Sequence, residues 1–357
     1  MVITRGDEHV FLGMRFKIKH KKIEIRMKEQ LEECVKAFGE DLSKKVSTPA
    51  SKSLFEVKCE EDDEPLCEKK KVLFHSIVAK LLFLMKRVRP DLEPSVAFLC
   101  TRVTKSTIDD WNKLRRVLRY VNQTLDDPRI IGAKIFVDMF VWIDASFAVH
   151  ANMRGQTGGC MSTGLGVFHA KSSKQKINTK STTESELVGV SEYMPYNIWA
   201  ILFLEAQGYK VIRNVLFQDN QSAILMQKNG RNSCTGNSRH INVRYFWIKD
   251  RVDNGDVLVK HCPTEMMLAD YFTKALQGKL YHLYRDVIMG YEPISVLLEA
   301  MSIKERVEDK KMSEKNVSEI SSCKTEKDST KDVKIQKRRK SYKEALLSGD
   351  EVKVDIN

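Results

Sequence analysis

The chain contains no C-x-x-C pair, and its eight cysteines (Cys34, Cys59, Cys67, Cys100, Cys160, Cys234, Cys262 and Cys323) keep no regular spacing. That excludes a disulfide framework and points to reduced thiols in an intracellular, cytoplasmic chain. Cys234, His240, His261 and Cys262 fall within one stretch, but their spacing matches no structural zinc pattern. The N-terminus, MVITRGDEHVFLGM, lacks the apolar core of a signal peptide. No apolar run approaches the roughly 18 residues that span a bilayer, so no membrane is expected among the partners. Acidic charge is in deficit as well. Against 60 Lys and Arg stand 48 Asp and Glu, and the net charge of +12 favours an anionic partner such as nucleic acid.

What is present is enough hydrophobic sequence, 42%, for an ordinary core. Residues 10–27 alternate apolar and basic positions, which predicts a two-stranded unit turning near His20 to Lys22. Leu31, Cys34, Val35 and Phe38 recur at helical spacing before Gly39, and Asp41 to Lys71 has the composition of a linker. From Val72 to Val121 the pattern is helical, broken at Pro90 and Pro94. A third helix there opens at Asp109, Asp110 and Trp111 and carries Lys113, Arg115, Arg116 and Arg119.

The most strongly β-forming run is IFVDMFVWIDA (135–145), which delivers Asp144 at its end. Gly155, Gly158 and Gly159 mark a turn, and Cys160 to Ala170 and Gln175 to Thr179 read as a second and third strand. Both Ser181-x-x-Glu184 and Thr183-x-x-Glu186 fit a capping box, predicting a helix over 181–193 and a second over 198–207. Val211 to Phe217 reads as a fourth strand ending at Asp219, with Asn220 capping a helix over 221–227. An amphipathic stretch over 243–252, a strand over 256–261 and a helix after Pro263 complete a mixed α/β domain of about 150 residues. Met301 to Asn357 holds 15 Lys or Arg and 12 Asp or Glu with Tyr342 as its one aromatic, a composition that predicts disorder. Its run Lys337-Arg338-Arg339-Lys340 has the form of a nuclear-entry or nucleic-acid patch.

Each of Asp144, Glu186, Asp219 and Asp270 has a plain structural reading: strand-end turn, capping acid, helix-dipole acid and surface helix acid respectively. Their shared placement at junctions of apolar segments favours convergence on one site. Four carboxylates in a small volume raise one another's proton affinity unless cations cancel the charge. Hard oxygen donors without His or Cys select Mg²⁺ or Mn²⁺, and a two-ion carboxylate site suits in-line displacement at phosphorus.

The stretches VWIDASFAVHANMRGQTGGCM (141–161), KQKINTKSTTESELVGV (174–190), VLFQDNQSAI (215–224), SRHINVRYFWIKDRV (238–252) and CPTEMMLADYFTKALQG (262–278) resemble the ribonuclease H domain of copia-type retrotransposon Pol polyproteins. Upstream, FLGM (11–14), STPASKSLFEV (47–57) and the segments 76–103 and 111–126 resemble the end of a copia-type reverse transcriptase and its connection. The resemblance implies a ribonuclease H-like mixed five-stranded sheet flanked by helices over 135–292. A thumb-like end of reverse transcriptase over 1–58 and a mainly helical connection over 59–134 would precede it, and a charged, disordered tail over 293–357 would follow. It implies an Mg²⁺-dependent endoribonuclease cutting the RNA strand of RNA–DNA hybrids, with Asp144, Glu186, Asp219 and Asp270 as catalytic metal ligands. The family pattern has Glu-x-Glu at 184–186; Glu186 is assigned to metal and Glu184 to capping.

Ser146, Gly158, Gly159, Lys174, Asn220, Gln221 and His240 are candidates for holding substrate, with Lys171 and Lys176 toward phosphates. The polymerase palm, with its paired aspartates, has no counterpart; Asp109-Asp110 sits at a helix start, so no DNA synthesis is expected. The competing reading is a non-catalytic retroelement remnant or host-adopted fragment that binds nucleic acid or a protein partner.

Overall fold

A computed structural model describes residues 5–58, 63–133, 138–230 and 242–304. Strands β1 (Glu8–Phe11), β2 (Met14–Lys19) and β3 (Lys22–Arg26) pair antiparallel in succession. Two strands were expected here. The chain makes three because Leu12 and Gly13 both adopt positive φ and reverse it inside the apolar run. Helix α1 (Lys28–Phe38) buries Leu31, Cys34 and Phe38 and ends at Gly39 in the left-handed region.

The expected linker contains no helix or strand among its described residues up to α2, yet it is packed, with Leu42, Ala50, Leu54 and Leu66 all buried. Helices α2 (Glu68–Arg87), α3 (Glu93–Cys100) and α4 (Ile108–Gln123) follow, with a 3-10 turn at Pro90–Leu92. Thr107 and Asp110 form a reciprocal capping box at the start of α4. The aspartate pair there is structural: Asp110 also binds Arg102 at 3.0 Å, and Asp109 binds Lys113 at 2.9 Å.

Strand β4 (Arg129–Ala133) joins β3. Next come β5 (Asp138–Ser146), β6 (Gln156–Ser162), β7 (Gly164–Leu165) and β8 (His169–Lys174). The single strand expected over 160–170 is a reversal from β6 into β8, since Gly164 and Gly166 take positive φ. Strand β8 ends at Lys174, and residues 175–179 continue without strand structure.

Helix α5 (Thr182–Ala206) is continuous through Pro195 where two helices were expected. Burial of Leu187, Val188, Val190, Tyr193 and Met194 offsets the lost donor and the steric cost of the ring. By length and composition alone α5 is long and apolar enough to cross a membrane, although its apolar residues are interrupted by polar ones and 44% of its most apolar stretch is buried within the protein.

The remaining elements are β9 (Arg213–Gln218), α6 (Gln221–Asn229), α7 (Asn242–Asp253), β10 (Leu258–His261), the one-turn α8 (Asp270–Thr273) and α9 (Gly278–Met289). Among the described residues they close an α/β architecture with two five-stranded sheets. One is antiparallel, β1-β2-β3-β4-β7. The other is mixed, β10-β9-β5-β6-β8, with β5, β9 and β10 parallel.

Alternation along β5 sends Met139, Val141 and Ile143 into the core beneath α5, and Phe140 and Trp142 into the core shared with α2, α4 and α9. The same parity turns Asp144 toward α8. The antiparallel sheet joins strands from both sides of the boundaries expected after 58 and 134, and residues through Met301 belong to one compact unit. Packing also continues past the expected start of the tail at 293: Ile294, Leu297 and Met301 are buried, the last two within helical residues 295–304. Residues 305–357, where disorder and the basic run were expected, lie outside the described residues.

Candidate metal centre

Because β5 and β9 are parallel neighbours, both bring their C-terminal ends to the same edge of the mixed sheet. Asp144 lies near the end of β5, and Asp219 is the first residue after β9. Glu186 comes from the second turn of α5. One carboxylate oxygen from each of Asp144, Glu186 and Asp219 lies within 4.8 Å of the others, with the first two residues buried and the third half-buried. Glu184 points to a different task. Its carboxylate accepts the Lys180 N–H at 2.7 Å, while its own N–H bonds the hydroxyl of the capping Ser181 at 3.2 Å.

Asp270, at the start of α8, is buried but stands outside that triad. Lys274, four residues on, returns its ammonium to Asp270 Oδ1 at 2.7 Å. Thr273 donates its hydroxyl to Asp144 Oδ2. Gln218 donates its amide to Glu186 Oε2 at 2.7 Å and accepts from Gln227 at 3.3 Å.

Thr273, Lys274 and Gln218 were not singled out from sequence. Two of them were signalled there, since positions three and four beyond Asp270 lie on its own helix face. α8 itself is pinned from three sides: the Tyr271 hydroxyl donates to the Asp91 carbonyl (2.9 Å), Ser172 to the Phe272 carbonyl (2.6 Å) and Ser146 to the Thr273 carbonyl (3.3 Å). Asp91 is held in turn by a fully buried bidentate pair with Arg89, both bonds 2.8 Å. The helical layer thus fixes one wall of the centre.

The charge is poorly compensated. Burial, then Asp144, then Asp219 push the Glu186 carboxyl well above the usual range, against the bond from Gln218. Asp219 is raised by burial and Asp144, with Lys274 opposing. Asp270 is pushed up to about 7 by burial and Asp144, which outweigh Lys274. For Lys274, burial lowers proton affinity, but Asp144 and Asp270 raise it further. A buried carboxylate triad of this kind could hold a divalent cation.

The expected substrate contacts divide differently. Gly158 and Gly159 are buried, and their identity is set by packing. A Cβ on Gly158 would lie 2.6 Å from Thr273 Cγ2 and 2.8 Å from Phe272 Cβ; one on Gly159 would lie 2.4 Å from the Tyr193 ring. They bring α8 and α5 against opposite faces of β6, and they offer substrate no surface. Ser146 serves α8 through the bond already described.

Asn220 caps α6 by accepting from the Ala223 N–H at 3.0 Å, and Gln221 is exposed beside it. Lys174 is half-buried; burial, then Arg154 and Arg102, lower its proton affinity, which marks a local cluster of positive charge. Lys171 lies 4.9 Å from the centre of the Tyr196 ring, and Lys176 is exposed. His240 falls outside the described residues.

No family model and no solved structure matches the chain. Curated relatives do. The chain is 27% identical over 288 residues to the retrovirus-related Pol polyprotein from transposon TNT 1-94 of Nicotiana tabacum, covering 79% of the chain and 22% of that protein. It is 29% identical over 205 residues to the Pol polyprotein from transposon RE2 of Arabidopsis thaliana, covering 57% of the chain and 14% of the relative. With that from transposon RE1 of the same plant it shares 26% identity over 217 residues, 60% of the chain and 15% of the relative. The chain therefore spans less than a quarter of the length of each.

Proposed function

The chain belongs with the retrovirus-related Pol polyproteins of copia-type transposons, and from that premise we propose that its carboxylate centre is a ribonuclease H site that hydrolyses the RNA strand of RNA–DNA hybrids. The observation that carries this reading is the meeting of Asp144, Glu186 and Asp219, drawn from two parallel strand ends and a helix, with Asp270 on the adjoining turn. A ribonuclease H-like arrangement of the mixed sheet fits it.

The donor set suits Mg²⁺, or Mn²⁺ in its place: hard carboxylate oxygens, no His or Cys among them, and negative charge left in excess. Asp144, Glu186 and Asp219 would hold the cation, and Asp270 would contribute to a second. Bound there, divalent cations would supply activation of a water and charge stabilisation of the leaving oxygen. The protein supplies orientation. Thr273 fixes one oxygen of Asp144, Gln218 fixes one of Glu186, and α8 closes the wall beside them.

Toward the nucleic acid, Lys174 with Arg154 and Arg102 offers positive charge suited to backbone phosphate, while a hybrid is told from DNA by its 2′-hydroxyls. The test is a labelled RNA–DNA hybrid incubated with Mg²⁺ and the full chain, beside Asp144→Asn. Cleavage of the RNA strand by the parent and its loss in the variant are expected. An uncut hybrid, or equal cutting by both proteins, removes the enzymatic reading.

A further inference from the structure

We propose that Lys274 is an internal counter-cation that holds Asp270 apart from the other three acids, so that divalent cations fill the centre in two unequal steps. The inference rests on the reading of the centre as a cation site, and it concerns a residue that is no metal ligand. Its basis is the contrast between the acids. Among the described residues, Asp144, Glu186 and Asp219 converge without a cationic side chain bonded to any of them, whereas Asp270 carries a direct ion pair, to Lys274 at 2.7 Å.

The pair is asymmetric in burial: the Asp270 side chain is 6% exposed and that of Lys274 is 43% exposed. The ammonium reaches in from solvent along a flexible stem, so it can leave without disturbing the packed turn of α8. The backbone bond from Lys274 N–H to the Asp270 carbonyl at 3.0 Å keeps the two positions in helical register whether or not the side chains are paired.

Charge decides the order of filling. With all four carboxylates deprotonated, as cation binding requires, the centre with one ammonium carries a formal charge of about −3, so a first divalent ion enters a strongly attractive triad. A second then meets a centre near −1 and must compete with Lys274 for Asp270 itself. Withdrawing the ammonium both frees the ligand and removes one positive charge. The two events are coupled in one side-chain movement.

Mn²⁺ titration of the full chain, with free ion followed by electron paramagnetic resonance, reads the two steps directly and needs no turnover. The parent should show one tight Mn²⁺ and a second weaker by about tenfold or more. Lys274→Gln and Lys274→Met should tighten the second class by about fivefold or more and the first by a clearly smaller factor, so that the ratio between the two narrows. Lys274→Arg, keeping the charge, should behave as the parent, and Asp270→Asn should retain only the first class. With the side chain this exposed, either neutral variant suffices if the other does not fold.

An unchanged ratio in both neutral variants overturns the proposal, as does equal weakening of both classes. If Asp144→Asn binds Mn²⁺ as the parent does, the cation centre itself fails and this inference with it. If the hybrid is left uncut while the two classes respond as described, the enzymatic reading fails and the role of Lys274 stands.

Discussion

Thr273 donates its hydroxyl to Oδ2 of Asp144, joining a one-turn helix to the end of the central strand across 129 positions of sequence. The bond spends one oxygen of the most central acid on orientation. Thr273→Val keeps the shape and removes the donor. Stability in urea should fall by about 1.5–3 kcal/mol, the range for a hydrogen bond to a charged group, and Mn²⁺ affinity should weaken in parallel. Thr273→Ser, which restores the donor, should recover most of the affinity; a serine variant as weak as valine would show that the methyl packing, not the bond, is what matters.

How much of this was legible beforehand depends on the range of the interactions involved. Strand β5 and its Asp144 were readable because a continuous β-forming run ending in an acid is a local pattern. So were Asn220 as a cap and Gly39 as a helix stop. The passage of α5 through Pro195 was not, because tertiary burial overrides a local helix breaker. Nor was the job of Gly158: a glycine beside an acid suggests substrate approach, and only the position of Phe272 and Thr273, over a hundred residues away, shows that it admits α8. Lys274 lay in view at helical spacing from Asp270, but nothing local says that the pair faces Asp144 and Asp219.

Glu184 and Glu186, two residues apart, should respond oppositely to the same chemistry. Glu186→Gln removes a member of the triad, and tight Mn²⁺ binding should be lost while the fold survives. Glu184→Gln weakens the acceptor for the Lys180 N–H and should cost about 0.5–2 kcal/mol, leaving Mn²⁺ binding within about twofold. Calorimetric titration beside thermal melts separates them, and loss of binding in the Glu184 variant would reverse the assignment.

Gly158→Ala tests whether that glycine is structural. The added methyl must displace Phe272 and Thr273 and also meets the Ala269 carbonyl at 3.0 Å, so destabilisation of about 1–3 kcal/mol is expected. Because Thr273 moves with α8, Mn²⁺ affinity should fall too. A variant of parental stability that binds hybrid poorly would return Gly158 to the substrate surface.

The centre should leave a signature in the pH dependence of stability. Glu186, Asp219 and Asp270 have raised proton affinity in the folded chain, with burial the first cause of each and Asp144 the next. A carboxyl raised on folding binds more protons folded than unfolded. Its stabilising contribution is therefore present below the unfolded value and lost as pH rises toward the folded one. In chelator, these groups should lower stability between about pH 4 and pH 7, each by up to ~1.4 kcal/mol per pH unit while it titrates. Asp91 works in the opposite sense: burial raises its carboxyl, but Arg89 overrides this and holds it low. The parent curve alone is thus a mixture, and the informative quantity is the difference from Asp144→Asn, in which the charge raising all three acids is gone. That difference should shift in the variant's favour as pH rises from 5 to 7.5, and Mg²⁺ should stabilise the parent more at pH 7.5 than at pH 5. Parallel curves in chelator, measured by urea melts at each pH, would mean that the acids do not share charge as their arrangement requires.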